Sequence, residues 1–228
     1  LVAAILAKLA ILLATSTPSP LGLAGLALSA LAGYEFADFG SGVYHFFMDN
    51  YGGAETPVWG KQIEAFQGHH ERPWTITHRQ TCNNLHQPAL ATMPFLAAWL
   101  LLVRSPHALA FGAVAMTFIM ASQELHKWSH TMASQMPPVP EVLQRSGLIL
   151  TRNAHLAHHR APFDTNYCIV SGHMNAPLAA LRFFPRLEAL IFSLNGVKPR
   201  SWTNERFEFD KAGGAVRPGG DGSARRGS

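Results

Sequence analysis

Two apolar runs joined end to end constrain this chain more than any other feature. Residues 88–103 carry no charge over 16 positions and residues 105–123 none over 19, with Arg104 and Pro106 at the join. Backbone polar groups in hydrocarbon must be satisfied within their own helix, so the pair is expected to form a helical hairpin through a bilayer. Sixteen residues rise about 24 Å, short of a ~30 Å hydrocarbon core, and the first arm is expected to borrow flanking residues.

A third span is expected at about 21–47, rich in small residues suited to close helix packing but carrying Glu35, Asp38 and His45 in its second half. Residues 1–14 are apolar apart from Lys8 and suggest a partial span, ended by Thr15-Ser-Thr-Pro-Ser-Pro20. Residues 178–194 place apolar positions at helical spacing among Arg182, Arg186 and Glu188, as in a helix lying on a membrane surface. The expected fold is an all-α integral membrane protein. Three to four transmembrane helices, at about 21–47, 88–104 and 105–125 with a possible partial span at 1–14, would carry a polar, His-rich cap on one face. Residues 1–210 would form this unit, and 211–228 a disordered Gly/Arg-rich tail. Only 14% of the 228 residues are charged, against roughly 25% in soluble domains.

The formal charge of +4 lies mostly in that tail, where four basic residues face one acid. No basic stripe falls on a folded segment, so a nucleic-acid partner is not expected. Cys82 and Cys168 are too few for a disulfide framework. The sequence opens at Leu1 rather than Met, and a further N-terminal piece carrying any targeting peptide is expected. In a hairpin both open ends share one side, which also gathers Lys61, Arg72, Arg79, Lys127, Arg145, Arg152 and Arg160 against Arg104 alone at the opposite turn. By the positive-inside rule that side is cytoplasmic or its plastid equivalent. Trp59, Trp74, Trp128 and Trp202 suit interface anchors.

Histidine is the residue in excess, with 12 copies against 14 acids. Eight fall into four groups: His45, four before Asp49; His69-His70; His126-Lys-Trp-Ser-His130; and His155-Leu-Ala-His158-His159. Residues four apart share a helix face and can present two imidazoles to one metal, whereas an adjacent pair points about 100° apart and suits a bend or two neighbouring metals. Eight imidazoles exceed one tetrahedral site, and a dinuclear site is expected. Neither HExxH nor Glu-x-x-His occurs, which disfavours zincin proteases and carboxylate-bridged soluble di-iron proteins. Nitrogen ligands suit iron, copper, nickel or zinc, and a redox metal with room for O₂ beside lipid points to oxidation of an unactivated C–H bond. Asp49 is expected to orient His45 rather than to bind metal. Asn83 and Asn84 could hold a metal-bound water or serve a turn. His78, His86, His107 and His173 are left structural or solvated.

Several stretches then resemble a known family: Asp38-Phe-Gly-Ser-Gly-Val-Tyr-His45, Asp49-Asn-Tyr-Gly52, Gln62-Ile-Glu-Ala-Phe-Gln-Gly-His-His70, HKWSH, His155-Leu-Ala-His-His159, Asn166-Tyr-Cys-Ile-Val-Ser-Gly172 and Gly196-Val-Lys-Pro-Arg-Ser-Trp202. Together they are similar to the plastid palmitate Δ3-trans desaturases of plants and algae, whose superfamily includes the plasmanylethanolamine desaturases. HKWSH resembles the latter branch more, and the Gln-Gly-His-His and Lys-Pro-Arg-Ser-Trp stretches the plastid one. The resemblance implies two non-haem iron ions held by His45, His69, His70, His126, His130, His155, His158 and His159. It also implies O₂ as co-substrate and ferredoxin as electron donor. The product would be a trans double bond at carbon 3 of the palmitoyl chain of phosphatidylglycerol. The setting would be a chloroplast membrane, thylakoid or envelope, with the His-rich face toward the stroma. Lys61, Arg72, Arg79 or Arg160 would hold the lipid phosphate. The alternatives are a plasmanylethanolamine desaturase or lipid hydroxylase using the same site, and a non-catalytic bis-His haem or metal-binding membrane protein.

Overall fold

The computed structural model describes residues 1–16 and 19–203 and the two short backbone stretches 208–209 and 215–216. The chain begins with α1 (Val2–Ser16) and α2 (Pro20–Asn50), followed by α3 (Gly60–Glu71) and a 3₁₀ helix at Pro73–His78. Then come α4 (Thr81–Leu102), α5 (Pro106–His130), a 3₁₀ turn at Ala133–Gln135, α6 (Pro138–Arg145), α7 (Arg152–His158), α8 (Asn175–Ala180), α9 (Phe183–Asn195) and α10 (Arg200–Thr203). A two-residue antiparallel ladder pairs β1 (Glu208–Phe209) with β2 (Ala215–Val216), so two residues of the expected disordered tail are in strand and the rest lie outside the described residues.

Helices α2, α4 and α5 are each long and apolar enough to cross a membrane. Their starts follow from local chemistry. Ser19 caps α2 by accepting from the Gly22 amide with Pro20 in the first turn, and Ser105 does the same for α5 through Ala108, ahead of Pro106. Helix α4 starts at Thr81, not 88. The polar stretch 81–87 continues the helix and gives 22 residues, about 33 Å, enough for the hydrocarbon core. The hairpin is pinned at its turn by Trp99, whose Nε1 donates to Ala108 O at 2.9 Å. Helix α1, the expected partial span, packs Ile5 against Leu96, Leu109 and Ala113 of the hairpin, and Lys8 Nζ donates to Leu100 O at 2.6 Å.

The main seam joins α2 to α5, two helices that run in the same direction. At Gly33 a Cβ would stand 2.4 Å from Phe111 O and 3.2 Å from Ala115 N, so the two backbones touch there and only glycine fits. Behind the polar cap, Phe46 of α2 meets Tyr167, Leu178 and Phe184. The single surface helix expected at 178–194 is instead broken at Arg182, which adopts a left-handed conformation (φ 49°). Leu178 and Phe184 would lie about 120° apart on one continuous helix, and the break turns both into the same core. Leu190 and Leu194 stay on the exposed side of α9.

Replacing Gly33 by Ala overpacks a backbone contact and should cost about 1–3 kcal/mol, whereas a Cβ at Gly40 on the same helix meets nothing within 4 Å. We expect Gly33→Ala to lower the unfolding temperature of the detergent-solubilised protein and Gly40→Ala to leave it near wild type, as measured by circular dichroism during heating.

Candidate metal centre

The last turns of α2 and α5 end on the same side of the molecule and deliver His45 with Asp49 and His126 with His130. Two short helices complete the set. Helix α3 brings His69 and His70, and α7, capped by Thr151 accepting from Ala154 N at 3.3 Å, brings His155, His158 and its C-terminal neighbour His159. The eight imidazoles and one carboxylate sort into two groups whose donor atoms lie within 4.8 Å of one another. One group is His69, His126, His130, His155 and His159, and the other is His45, Asp49, His70 and His158. Each adjacent pair is divided, His69 and His159 entering the first group and His70 and His158 the second, as two neighbouring metals require.

In the first group the Nε2 atoms face one another: 2.8 Å for His126–His155 and His155–His130, 2.9 Å for His69–His130, 3.1 Å for His159–His155 and 3.3 Å for His130–His126. His155 Nε2 thus has three nitrogen neighbours and at most one proton to share, so hydrogen bonding cannot satisfy the cluster. Nitrogens bound at right angles to a metal at roughly 2.0–2.1 Å lie about 3 Å apart, which is the spacing seen. Burial and the neighbouring imidazoles hold His69, His155 and His159 neutral, well below the usual histidine range. Neutral imidazole is the form that binds metal.

In the second group Asp49 Oδ2 stands 3.1 Å from His70 Nε2, 3.2 Å from His45 Nε2 and 3.3 Å from His158 Nε2. The carboxylate therefore faces three imidazoles of the candidate donor set and not His45 alone. Backbone carbonyls do the orienting: His45 Nδ1–H donates to Tyr167 O at 3.0 Å and His158 Nδ1–H to Thr165 O at 2.7 Å. A carbonyl can only accept, so both rings carry their proton on Nδ1 and turn a bare Nε2 inward. Those Nε2 atoms, His70 Nε2 and both oxygens of Asp49 are buried without a hydrogen-bond partner. Orphaned lone pairs of this number fit bound cations.

The remaining expectations fall elsewhere. Asn84 is buried but donates to Glu124 Oε2 at 2.8 Å, and Asn83 is exposed in the first turn of α4. Asn84 thereby ties the start of α4 to α5. His78, His86 and His107 are exposed, and His173 pairs with Glu35 at 2.9 Å, whose carboxylate raises its pKa. Lys61, Arg72, Arg79 and Arg160 are exposed around the cap. Sequence reasoning did not foresee the Thr165 and Tyr167 carbonyls, since a main-chain acceptor leaves no mark in residue type.

The lipid desaturase domain matches residues 34–202. Over 183 residues the chain is 47% identical to fatty acid desaturase 4, chloroplastic, of Arabidopsis thaliana, covering 80% of this chain and 57% of that protein. It is 46% identical to fatty acid desaturase 4-like 1, chloroplastic, of the same plant, covering 80% and 62%. A plasmanylethanolamine desaturase of Myxococcus xanthus is 39% identical over 181 residues, covering 77% and 64%. The chain thus spans about three fifths of the length of these relatives, and no solved structure matches it. All eight imidazoles and Asp49 fall inside the matched segment, and the chain belongs to the lipid desaturase family.

Proposed function

We propose that this protein is an O₂-dependent membrane lipid desaturase that introduces a trans double bond at carbon 3 of the palmitoyl chain of phosphatidylglycerol, in a chloroplast membrane with its His-rich face toward the stroma. The observation that carries the chemistry is the paired donor set, five imidazoles beside three imidazoles and a carboxylate, at the membrane end of α2 and α5. The preference for the phosphatidylglycerol branch rests on the higher identity to the two Arabidopsis relatives named as fatty acid desaturases. Ferredoxin is the electron donor that suits that compartment.

The first group would hold one iron and the second group the other. When bound, the irons supply the O₂ activation and hydrogen abstraction that no side chain can perform. The protein's own part is positional. Thr165 and Tyr167 fix the His158 and His45 rings, burial keeps His69, His155 and His159 unprotonated, and Asp49 contributes the negative charge that offsets a cation. Exposed Lys61, Arg72, Arg79 and Arg160 ring the cap where an anionic phosphate would rest.

An acyl chain also has a place to lie. A cavity of about 420 Å³ on α2, lined by Phe36, Phe39, Gly40, Val43, Phe47 and Trp59 among others, opens on the side of the helix away from His45. This is in the ~300–1,000 Å³ range of small-molecule sites. Phe66 packs edge-on against both Tyr44, which also lines the cavity, and the His45 ring, with centroids 5.5 Å and 5.2 Å away.

Expression in cells lacking the product tests the reading. Wild type should add a trans-3 hexadecenoyl chain to phosphatidylglycerol, scored by gas chromatography and mass spectrometry, and contain two irons per chain. His126→Ala and His158→Ala should reach the membrane with no product. A vinyl ether in ether lipids would shift the assignment to the plasmanylethanolamine branch, and a Soret band would replace it with a haem protein. Normal product from either variant would sink the ligand assignment.

Filling the groove gives a separate check. Gly40→Leu has room to fold, and it should cut desaturation several-fold with iron content unchanged. Wild-type turnover would remove the groove as the chain's seat.

A further inference from the structure

The carboxylate of Asp38 lies fully buried in α2 and takes no part in the donor set. Its oxygens are nonetheless fully occupied. Oδ1 accepts from the amides of Val170 (3.1 Å), Ser171 (2.8 Å) and Gly172 (2.9 Å), and Oδ2 accepts from the Met174 amide at 3.0 Å. Four charge-assisted bonds from one loop to one side chain is a concentration rarely spent on a surface segment. An ionisable residue inside a membrane span is costly and calls for a reason beyond packing.

What the loop does supplies the reason. The bonds continue toward the metal centre: Ile169 N donates to Ser41 Oγ at 3.0 Å, and Cys168 exchanges two bonds with Asn175, at 2.9 Å and 3.2 Å. A Cβ at Gly42 would stand 2.4 Å from Cys168 Sγ, so the loop lies hard against α2. Directly before these residues come Tyr167, whose carbonyl takes the His45 Nδ1 proton, and Thr165, whose carbonyl takes that of His158. Both histidines belong to the group containing Asp49, where His70 Nδ1 is left without an acceptor, as are Nδ1 of His126, His155 and His159 in the other group. One anchor therefore serves one of the two sites.

We propose that Asp38 is a positioning residue that clamps the 165–175 loop onto α2 and thereby sets the tautomer and ring angle of His45 and His158, so that it governs the Asp49-containing metal site and not the five-histidine site. The inference rests on the two-iron reading above. Loss of partners that orient metal-binding imidazoles typically costs ~10–100-fold in affinity or activity.

The test compares wild type with Asp38→Asn, which keeps an acceptor at Oδ1 but turns an amide NH₂ toward the Met174 amide. A second variant, Met174→Pro, removes that one donor at a backbone φ of −72° that proline adopts. Iron per chain and Mössbauer spectra are measured on protein purified in detergent, with circular dichroism to establish folding. Both variants should fall from two irons toward one, lose one of two quadrupole signatures, and bind the second iron ~10–100-fold more weakly. The double variant should be little worse than the worse single one. Two irons retained in both folded variants would overturn this inference alone, as would equal loss from both sites. A wild-type chain that takes up no iron would overturn the two-iron reading and this inference with it.

Discussion

Nitrogen and oxygen lone pairs turned into a dry interior have no partner of their own kind, and this constraint governs the polar half of the molecule. His45 and His158 spend their single protons on backbone carbonyls, leaving Nε2 with nothing to donate. Asp49 presents two buried oxygens that accept no bond. A buried carboxylate without compensation costs several kcal/mol, and replacing water by bare imidazole nitrogens adds to it. Bound cations would resolve these contacts, so metal affinity at each donor group would be coupled to the stability of the cap around it.

The segments that carry the donors are short, which determines how they must be held. Helix α7 has seven residues and α3 twelve, lengths that are marginal for an isolated helix in water. They persist through tertiary anchors: Phe66 of α3 packs edge-on against Tyr44 of α2, and Asn166 Nδ2 donates to Ala154 O of α7 at 3.0 Å. Arg152 reaches back from α7 to His130 O at 3.2 Å. The C-terminal stretch is tied in by Glu188, whose carboxylate accepts from Ser201 Oγ and Trp202 Nε1 at 2.7 Å and 2.9 Å. Trp202 thus has a specific hydrogen-bond partner as well as the exposed ring expected of an interface anchor.

Spacing in the sequence carried the parts of this structure that depend on side-chain type. The charge-free runs at 88–103 and 105–123 announced the hairpin, and the adjacent histidine pairs, which suited a bend or two neighbouring metals, each divide between the two candidate donor groups. The contacts of Asp49 with His70 and His158 were not legible, because an i, i+4 offset announces only its neighbour on the same helix, His45. The break at Arg182 was illegible because left-handed backbone at arginine is set by what Leu178 and Phe184 must reach, not by local preference. Main-chain acceptors such as Thr165 O and Tyr167 O are written in no residue type at all.

Helix length then explains where such a centre can act. Helix α2 has 31 residues and α5 has 25, about 46 Å and 37 Å, so both outrun a hydrocarbon core of ~30 Å. With the hydrocarbon core on the apolar N-terminal parts of both helices, the excess would fall at their C-terminal ends, where both carry their histidines, and the candidate ligands would stand where hydrocarbon gives way to head groups. A carbon far along an acyl chain would have to be drawn out of the bilayer to meet them. A carbon next to the ester already lies at that depth, while the rest of its chain can remain in the bilayer. A double bond close to the carboxyl end is thus the position that this placement of ligands makes least costly to reach.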